Sequence, residues 1–365
     1  MRIRQTLHRR RGRYLIALAS VVALGLVMGG IRASQAATGG ADPLTEAAKI
    51  PDDQGPDPAC DGDPATQPAR CHADTLAAPK ASDFVDIKKI QPNVRVAPPG
   101  ANASKGTFVA RCGNNEDNHR NPDNFIVALG LANGAHHMHD YVGNKSTNGL
   151  SNDLTLDAAG TTCQQGDKST YFWTVLRDTK KQGQDANLDG GGKDGNIGGI
   201  LRPNVKLEFR GNAQSKVKAM PRFLRVITGD AKAGTNGPAN AKAQWTCTGF
   251  NDRVTTKYPL CPQGSQVQRI LDFPSCWDQA NTDSANHRAH ILFPGKDGSC
   301  PARTAAVPQL RMTLTYSVPQ GQAFALDTFP EQNHNPLTDH GDFANVMPIG
   351  LMNKVVDCVN TGKSC

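Results

Sequence analysis

The sequence LRMTLTYSV, at residues 310–318, alternates apolar and polar side chains with a period of two, and VKLEFR at residues 205–210 does the same. Successive side chains of a β-strand point to opposite faces, so this alternation predicts strands with one buried face and one polar face. The two segments therefore indicate a sheet that covers a core, in a protein that is mainly β.

Further short apolar runs recur between glycine, proline, asparagine and aspartate residues, and each has the length of a strand. They are NFIVALG at 124–130, TYFWTVL at 170–176, FLRVITG at 223–229, VQRILDF at 267–273, AHILF at 289–293 and AFALDTF at 323–329. Strands of this kind bury one face each when two sheets pack together. We therefore expect a single β-sandwich or jelly-roll-like domain, stabilised by disulfides. A short C-terminal helix is predicted after Pro348, where apolar residues follow helical spacing.

The chain divides into three predicted parts. Residues 1–36 hold clustered arginines, an apolar run and then small residues, which together predict a signal peptide. General secretion is favoured over twin-arginine export, because the match to the twin-arginine pattern is loose. Residues 37–105 are rich in alanine, proline and aspartate and predict a disordered linker. Residues 106–365 form the predicted β domain, and we expect the mature protein to be secreted and extracellular.

The formal charge of +7 comes from the predicted signal peptide. Seven of the 40 lysines and arginines lie there and no acidic residue does, which leaves 33 basic residues against 33 acidic ones. A nearly neutral mature chain has no strong field that would attract nucleic acid or an anionic membrane. We therefore expect neither partner after signal cleavage, and we expect a monomer.

The ten cysteines are even in number and suit an oxidising compartment, so they predict up to five disulfides. No two of them have the C-x-x-C spacing that zinc and redox sites favour, and a structural role is expected. Local pairing is predicted for Cys60 with Cys71 and for Cys358 with Cys365. The sequence leaves open how the others pair, namely Cys112, Cys163, Cys247, Cys261, Cys276 and Cys300.

The segment GAHHMHDYVGN, at residues 134–144, holds three histidines within four positions. In a strand, His137 and His139 point to one face, while Met138 and Asp140 point to the other. Two imidazoles on one face suit a metal such as copper or zinc. They also suit general acid–base chemistry or substrate binding. A polar sheet face with a purely structural role is the remaining interpretation.

Two later segments hold further ligands and carboxylates. A metal at the histidine segment needs a third ligand, for which His290 and His340 are the candidates. Hydrolysis of a glycosidic bond usually requires two carboxyl groups that flank the bond. The carboxylates that we consider for that role are Asp140, Asp278, Asp283 and Asp342. Single aspartates in loops also form turns and helix caps, so the structural alternative applies to each of them.

Trp277 follows Cys276 directly, and two interpretations of it remain open. Its indole offers a flat face on which a sugar ring can stack, or it is a core aromatic residue that packs against a disulfide. Core packing is expected for Trp173 and Tyr171.

The stretch DANLDG, at residues 185–190, matches the opening of a calcium-binding loop. Asp185, Asn187 and Asp189 would supply the alternate oxygens of such a site. The twelfth position is Asn196 instead of a bidentate glutamate, and the glycine-rich surroundings fit a flexible hairpin tip equally well. The sequence contains no G-x-S-x-G elbow, P-loop or H-E-x-x-H helix, which excludes several common enzyme classes.

The order of several distinctive motifs resembles that of a known family. These motifs are GAHHMHDYVGN at 134–144, TTCQQGDKSTYFWTVL at 161–176, PRFLRVITGD at 221–230, LDFPSCWDQANTDSANHRAHILFP at 271–294 and HGDFANVMPIGLMNKVVDC at 340–358. Over residues 108–358 the chain resembles DUF1996, an uncharacterised secreted family of fungi and bacteria. In fungi this family often accompanies carbohydrate-binding WSC modules. Family members usually have proline at the position of Ala135 and a tryptophan-bearing turn at 346–348, and the insertion at 184–199 looks specific to this chain.

The resemblance implies shared roles for the conspicuous histidine, aspartate and tryptophan residues, but it carries no established activity. The family often accompanies carbohydrate-binding WSC modules, so the resemblance implies that the protein acts on a carbohydrate. The first expectation is therefore a hydrolase of extracellular or cell-wall polysaccharide. In that hypothesis Asp278 acts as the acid and Asp140 as the nucleophile or base. The substrate-binding candidates are His137, His139, Asn144, Trp277, His290 and His340.

Two other functions stay open at this point. One is a non-catalytic module that binds glycan or cell wall. The other is a metal-binding protein that uses His137 and His139 with one of the two later histidines. The expected partner is therefore polysaccharide, and the expected cofactor is either calcium or a transition metal.

Overall fold

The computed structural model describes residues 78–365, in which strands and helices are numbered here in chain order. The strands are β1 (Phe84–Asp86), β2 (Thr107–Ala110), β3 (Arg120–Asn121), β4 (His139–Gly143), β5 (Thr170–Thr174), β6 (Leu176–Asp178), β7 (Gly199–Leu201), β8 (Asn204–Arg210), β9 (Arg225–Gly229), β10 (Trp245–Cys247), β11 (Tyr258–Leu260), β12 (Val267–Asp272), β13 (Cys276–Trp277), β14 (Ile291–Leu292), β15 (Ala305–Ala306), β16 (Gln309–Tyr316), β17 (Phe324–Leu326) and β18 (His340–Ala344). The α-helices are α1 (Asp153–Ala158), α2 (Ala233–Asn236) and α3 (Ile349–Asn360). Short 3₁₀ turns lie at Ala81–Asp83, Ile87–Lys89, Gln164–Gly166, Gly192–Asp194, Pro330–Gln332 and Pro336–Thr338.

Two five-stranded antiparallel sheets pack against each other and enclose the main core. Sheet I has the order β10-β12-β16-β8-β2, and sheet II has the order β3-β4-β5-β18-β9. The core between them contains Tyr171 and Trp173 from sheet II and Phe209 and Met312 from sheet I. The sheets approach so closely at Gly341 that a Cβ there would lie 2.8 Å from Leu271 Cδ1. The expected mainly β architecture with two packed sheets is thus confirmed.

The alternation that predicted strands β8 and β16 corresponds to the burial of their side chains. In β16, Leu310, Met312, Leu314 and Tyr316 are buried, and the residues between them are half-buried. The polar face of sheet I carries ion pairs, because Asp272 on β12 binds Arg311 on the neighbouring strand β16 and Arg210 on β8, the strand beyond it. One face of this sheet therefore supplies the core and the other faces outwards.

The chain before β2 is ordered over its described part, 78–105, so the predicted linker is wrong there. Strand β1 pairs in parallel with β11, and Phe84 is buried against Tyr258 and Phe324. Ile87 is also completely buried, so two large apolar side chains attach this polar, proline-containing stretch to the rest of the domain. Residues 1–77, which include the predicted signal peptide and the rest of the linker, lie outside the described residues.

Four disulfides join the described cysteines, and the predicted Cys358–Cys365 bridge is confirmed. The other three bridges, which the sequence left open, are Cys112–Cys163, Cys247–Cys261 and Cys276–Cys300. The predicted Cys60–Cys71 bridge lies outside the described residues. Bridges of this number fit a protein that folds in an oxidising compartment.

The C-terminal helix is present as α3, which begins directly after Pro348. Its buried residues include Leu351, Met352 and Val355, as the helical spacing predicted. Among residues 78–365, none of the helices has the length and apolar character needed to cross a membrane.

The strand predicted at 124–130 is wrong. The Asn124 side chain accepts hydrogen bonds from the backbone N–H groups of Ile126 and Val127, and its carbonyl accepts one from Ala128. These local bonds fold the run into turns. Phe125 and Ile126 instead form a second, smaller core on the outer face of sheet II, with Tyr141 and Phe172.

Candidate functional site

Three histidines from distant parts of the chain meet on the outer face of sheet II. Strands β4 and β18 lie on either side of β5, so His139 and His340 come close although 201 positions separate them in the sequence. His137 lies two positions before the start of β4, and its Nε2 is 3.2 Å from Nε2 of His340. One ring nitrogen from each of the three residues lies within 4.8 Å of the other two. We refer to His137, His139 and His340 as the histidine cluster.

The histidine cluster is buried. The exposed fraction is 1% for His137, 0% for His139 and 2% for His340. The ring of Phe329 lies edge-on to His137, with centroids 5.1 Å apart, and Phe172 lies edge-on to His139 at 5.4 Å. Polar rings in such surroundings lose their hydration, so they need compensating partners.

Backbone carbonyls orient two of the three rings. Nδ1 of His139 is 3.1 Å from the carbonyl oxygen of Asp123, and Nδ1 of His340 is 2.9 Å from that of Thr338. A carbonyl can only accept, so Nδ1 is the protonated nitrogen in both rings. In a neutral imidazole the lone pair is then on Nε2, which faces the cluster. Nε2 of His139 is buried and has no hydrogen-bond partner.

Burial keeps all three rings neutral at physiological pH. Loss of hydration is the largest effect on each ring, and the neighbouring histidines of the cluster lower the pKa values of His137 and His139 further. The pKa values of these two residues lie well below 6.5, and the pKa of His340 is lowered to about 4. The backbone of Ala135 favours the protonated form of His137, but burial outweighs it.

Asp140 and Asp342 lie in the same sheet, but both are fully buried. Asp140 points to the opposite face from His139 and accepts hydrogen bonds from Arg120 Nε at 2.5 Å and Asn115 Nδ2 at 2.7 Å. Burial raises the pKa of Asp140, and the charge of Arg120 opposes this effect. Neither carboxyl group faces a surface on which a polysaccharide can lie.

Asp278 and Asp283, the other two candidate carboxylates, organise the loop after β13. Asp278 accepts the backbone N–H groups of Ala280 and Asn281 at 2.9 Å each, and Asp283 lies 2.8 Å from Nδ1 of His287. Burial opposes the ionisation of Asp278, but the two amides outweigh it and lower its pKa. These contacts correspond to the turn-forming alternative.

His290 does not join the histidine cluster. Its Nδ1 lies 2.9 Å from Ser284 Oγ, and its Nε2 donates to the carbonyl oxygen of Arg225 at 2.7 Å. Arg225 is at the opposite end of β9 from Gly229, which pairs with His340. The structure therefore brings His340, and not His290, to the two histidines of the first segment.

Two other residues that the sequence suggested for substrate binding have structural contacts. Asn144 is buried, and its amide donates to the carbonyl oxygens of Leu156 and Lys168 at 2.8 and 2.9 Å. Trp277 is half-buried against the core and donates its indole N–H to the carbonyl oxygen of Asn281 at 2.7 Å. Asn144 thus connects helix α1 to the segment before β5, while Trp277 is not fully buried.

The carboxylates of the predicted calcium loop bind arginine and lysine side chains. Both oxygens of Asp185 accept hydrogen bonds from Arg177, at 2.8 and 2.7 Å. Asp189 pairs with Lys193 at 3.0 Å, and Asn187 is exposed. The loop geometry therefore does not support a calcium site.

The same loop is not a flexible hairpin tip either, because it packs on the histidine segment. Asp194 lies 2.8 Å from Nδ1 of His136, and the Asn196 amide donates to the His136 carbonyl oxygen at 3.0 Å. Gly190 lies so close to Pro122 that a Cβ there would be 2.3 Å from Pro122 Cβ. The insertion thus covers the backbone that carries His137.

Sequence reasoning missed two buried ion pairs beside the histidine cluster. Arg269 donates to the carboxylate of Asp339, which directly precedes His340. Arg177 donates to Asp327. All four residues are at most 1% exposed. Each arginine stands in a strand whose other residues follow the apolar and polar pattern of any strand. No local motif marks them, so the sequence offered no signal for either pair.

The fold and the site together define a class: a mainly β, disulfide-linked domain with three buried histidines that meet on one sheet. The chain belongs to the family described as a domain of unknown function, DUF1996, whose model matches residues 125–346. The match includes all three histidines of the cluster and both buried ion pairs, and it confirms the resemblance noted from the motifs. No curated protein and no solved structure matches the chain.

Proposed function

We propose that this protein binds one transition-metal ion, zinc or copper, through His137, His139 and His340. The observation that carries this proposal is the convergence of one ring nitrogen from each of these three buried histidines within 4.8 Å. Nε2 of His137 and Nε2 of His340 are 3.2 Å apart, a distance at which the two rings share a hydrogen bond in the metal-free protein. Two nitrogens bound tetrahedrally at about 2.0–2.1 Å from a zinc ion are themselves about 3.3 Å apart. His139 completes the set with a movement of at most about 1.5 Å, since its nitrogen already lies within 4.8 Å.

The chemistry of the three rings supports the same proposal. Metal binding requires neutral imidazoles, and burial lowers the pKa of each ring of the cluster. Histidines that bind metals usually donate their other N–H to a carbonyl or carboxylate, as His139 and His340 do here. A buried nitrogen without a partner, such as Nε2 of His139, is costly unless something binds it.

Three imidazoles favour a site with a free coordination position. Among the described histidine, cysteine, aspartate and glutamate residues, no fourth residue lies close enough to belong to this group. Catalytic zinc sites have three protein ligands and an open position, whereas structural sites usually have four ligands. Because the ligands are nearly inaccessible to solvent, we propose that the open position serves water or another small molecule, and not a polymer.

Hydrolysis of polysaccharide receives less support from the geometry. Asp140 and Asp342 are buried, while Asp278 and Asp283 form turn and ion-pair contacts. Among the residues proposed for sugar binding, Trp277 is the one that is half-buried instead of buried. Secretion remains part of our proposal, and the four disulfides suit an oxidising compartment outside the cytoplasm.

Titration calorimetry with Zn²⁺ and with Cu²⁺ tests the metal proposal. The wild-type protein, stripped with a chelator, is expected to bind one equivalent of at least one of these ions. In the His340→Asn variant the Kd should rise more than about 100-fold, since even partners beyond the ligands contribute about 10–100-fold.

His290→Asn is the matched control. It also removes a buried histidine near sheet II, but one whose two nitrogens bind Ser284 and Arg225. We expect its metal affinity to equal that of the wild type. Equal loss in both variants, or no stoichiometric binding by the wild type, would contradict the proposed site.

A further inference from the structure

The backbone between the two histidines of the first segment is held by a buried carboxylate. Asp327, which follows β17, accepts a hydrogen bond from the backbone N–H of Met138 at 3.2 Å. Met138 stands between His137 and His139, and its carbonyl oxygen accepts the N–H of Val175 at 3.0 Å. Both backbone groups of Met138 are therefore fixed, one by a side chain and one by the backbone between β5 and β6.

Arg177 fixes that carboxylate in turn. Its Nε and Nη2 groups each donate to one oxygen of Asp327. The three remaining N–H groups donate to the two oxygens of Asp185 and to the carbonyl oxygen of Gly198. All five N–H donors of the guanidinium group are thus used. Arg177 and Asp327 are 1% exposed, so these charge-assisted bonds compete with little water.

Asp327 carries a negative charge at neutral pH although it is buried. Burial raises its pKa to about 6, and Arg177 limits this rise by favouring the charged form. The carboxyl group is consequently ionised at neutral pH, and an ionised carboxylate accepts the Met138 N–H more strongly than a neutral group would.

We propose that Asp327 is a positioning residue of the metal site, which sets the separation of His137 and His139 through the Met138 amide and is itself held by Arg177 and Asp185. This inference rests on the proposed metal-binding function. Ligands that are fixed before the ion arrives bind it more tightly, because no ordering has to accompany binding. Asp185 and Gly198 belong to the insertion at 184–199, so the insertion supports the site through Arg177.

The test compares two substitutions at Asp327 with a control. Asp327→Asn keeps the shape and one acceptor oxygen but removes the charge, while Asp327→Ala removes the contact with Met138. Asp272→Asn is the control, because Asp272 also binds two arginines but lies in sheet I. Cu²⁺ alone is the probe, its Kd is measured by competition with a chelator, and its coordination is followed by electron paramagnetic resonance.

We expect the Kd for Cu²⁺ to rise about 10-fold in Asp327→Asn and about 100-fold in Asp327→Ala, with an altered copper spectrum in both. The Asp272→Asn variant should keep the wild-type Kd and spectrum, even if its thermal midpoint falls. If folded Asp327→Asn and Asp327→Ala bind Cu²⁺ with the wild-type Kd and spectrum, the positioning role is overturned.

A second measurement does not depend on metal. Nitrogen-15 NMR of the imidazole side chains, on the chelator-treated protein, reports the surroundings of His137 and His139 directly. Asp327→Ala should shift these two ring signals, and unchanged signals would refute the inference. Failure of the wild-type protein to bind Cu²⁺ or Zn²⁺ would instead refute the proposed function, while the ring signals would still decide whether Asp327 positions the two histidines.

Discussion

Replacing Arg269 with methionine is expected to lower the free energy of unfolding by about 3–5 kcal/mol. Arg269 is completely buried and donates to the carboxylate of Asp339, to both oxygens of Thr174 and to the hydroxyl of Tyr316. Without the guanidinium group, the Asp339 carboxylate is left in the core without its partner. Removing one member of a buried pair is costly for this reason, even where the intact pair adds little net stability. Equilibrium unfolding in urea at pH 7 measures the loss.

Two further variants show whether the isolated charge is the cause. The double variant Arg269→Met with Asp339→Leu removes both charges and should recover part of the stability lost in the single variant. Arg311→Met is the matched control, because Arg311 binds Asp272 on the outer face of sheet I, where its side chain is 28% exposed. Its loss should be about 1 kcal/mol. Equal losses for Arg311→Met and Arg269→Met would disprove the account of the buried pair.

The three buried histidines are expected to lower the stability of the metal-free protein as the pH falls from about 6.5 to about 4. Burial lowers the pKa of His340 to about 4, whereas an unfolded chain titrates near 6.5. In this interval the unfolded state binds a proton that the folded state does not, so acid favours unfolding. A difference of about 2.5 pH units corresponds to about 3 kcal/mol for His340. His137 and His139 act in the same direction.

Urea unfolding in the presence of a chelator, at several pH values between 7 and 4, measures this dependence. The His340→Gln variant lacks the titrating ring, so its stability should fall less steeply over the same interval. Aspartates with lowered pKa values, such as Asp272, lose their contribution only at lower pH. Asp327 acts in the opposite direction, because burial raises its pKa to about 6 and the folded state then binds a proton that the unfolded state lacks. The comparison with His340→Gln therefore isolates the contribution of the histidine. If the wild type and His340→Gln show the same dependence of stability on pH between 7 and 4.5, His340 is not a buried neutral ring.

The sequence predicted those features that depend on local periodicity. The alternation at 205–210 and 310–318 predicted two strands of sheet I, and the same period of two placed His137 and His139 on one face. Helical spacing predicted α3. The short separation of Cys358 from Cys365 predicted their disulfide. Each of these features involves residues that are close together in the chain.

The remaining features depend on which distant strands become neighbours. His340 joins the cluster because β18 pairs with β5, and 203 positions separate it from His137. Arg177 and Asp327 are 150 positions apart. A pattern in the sequence also cannot show whether a polar side chain is buried. Asp140 and Asp342 were therefore candidates for catalytic carboxylates, although both are completely buried in the structure. At 124–130, the hydrogen bonds of the Asn124 side chain outweighed an apolar run that suggested a strand.

The most direct test of the metal proposal is X-ray absorption spectroscopy of the purified protein loaded with one equivalent of Zn²⁺. The histidine cluster predicts three imidazole nitrogens at about 2.0–2.1 Å and one further light atom from water. The multiple-scattering signal of imidazole should fall by one ring in His340→Asn and remain unchanged in His290→Asn. A shell of oxygen atoms without imidazole scattering, or a protein that retains no stoichiometric zinc, would contradict the proposal that these three histidines form a metal site.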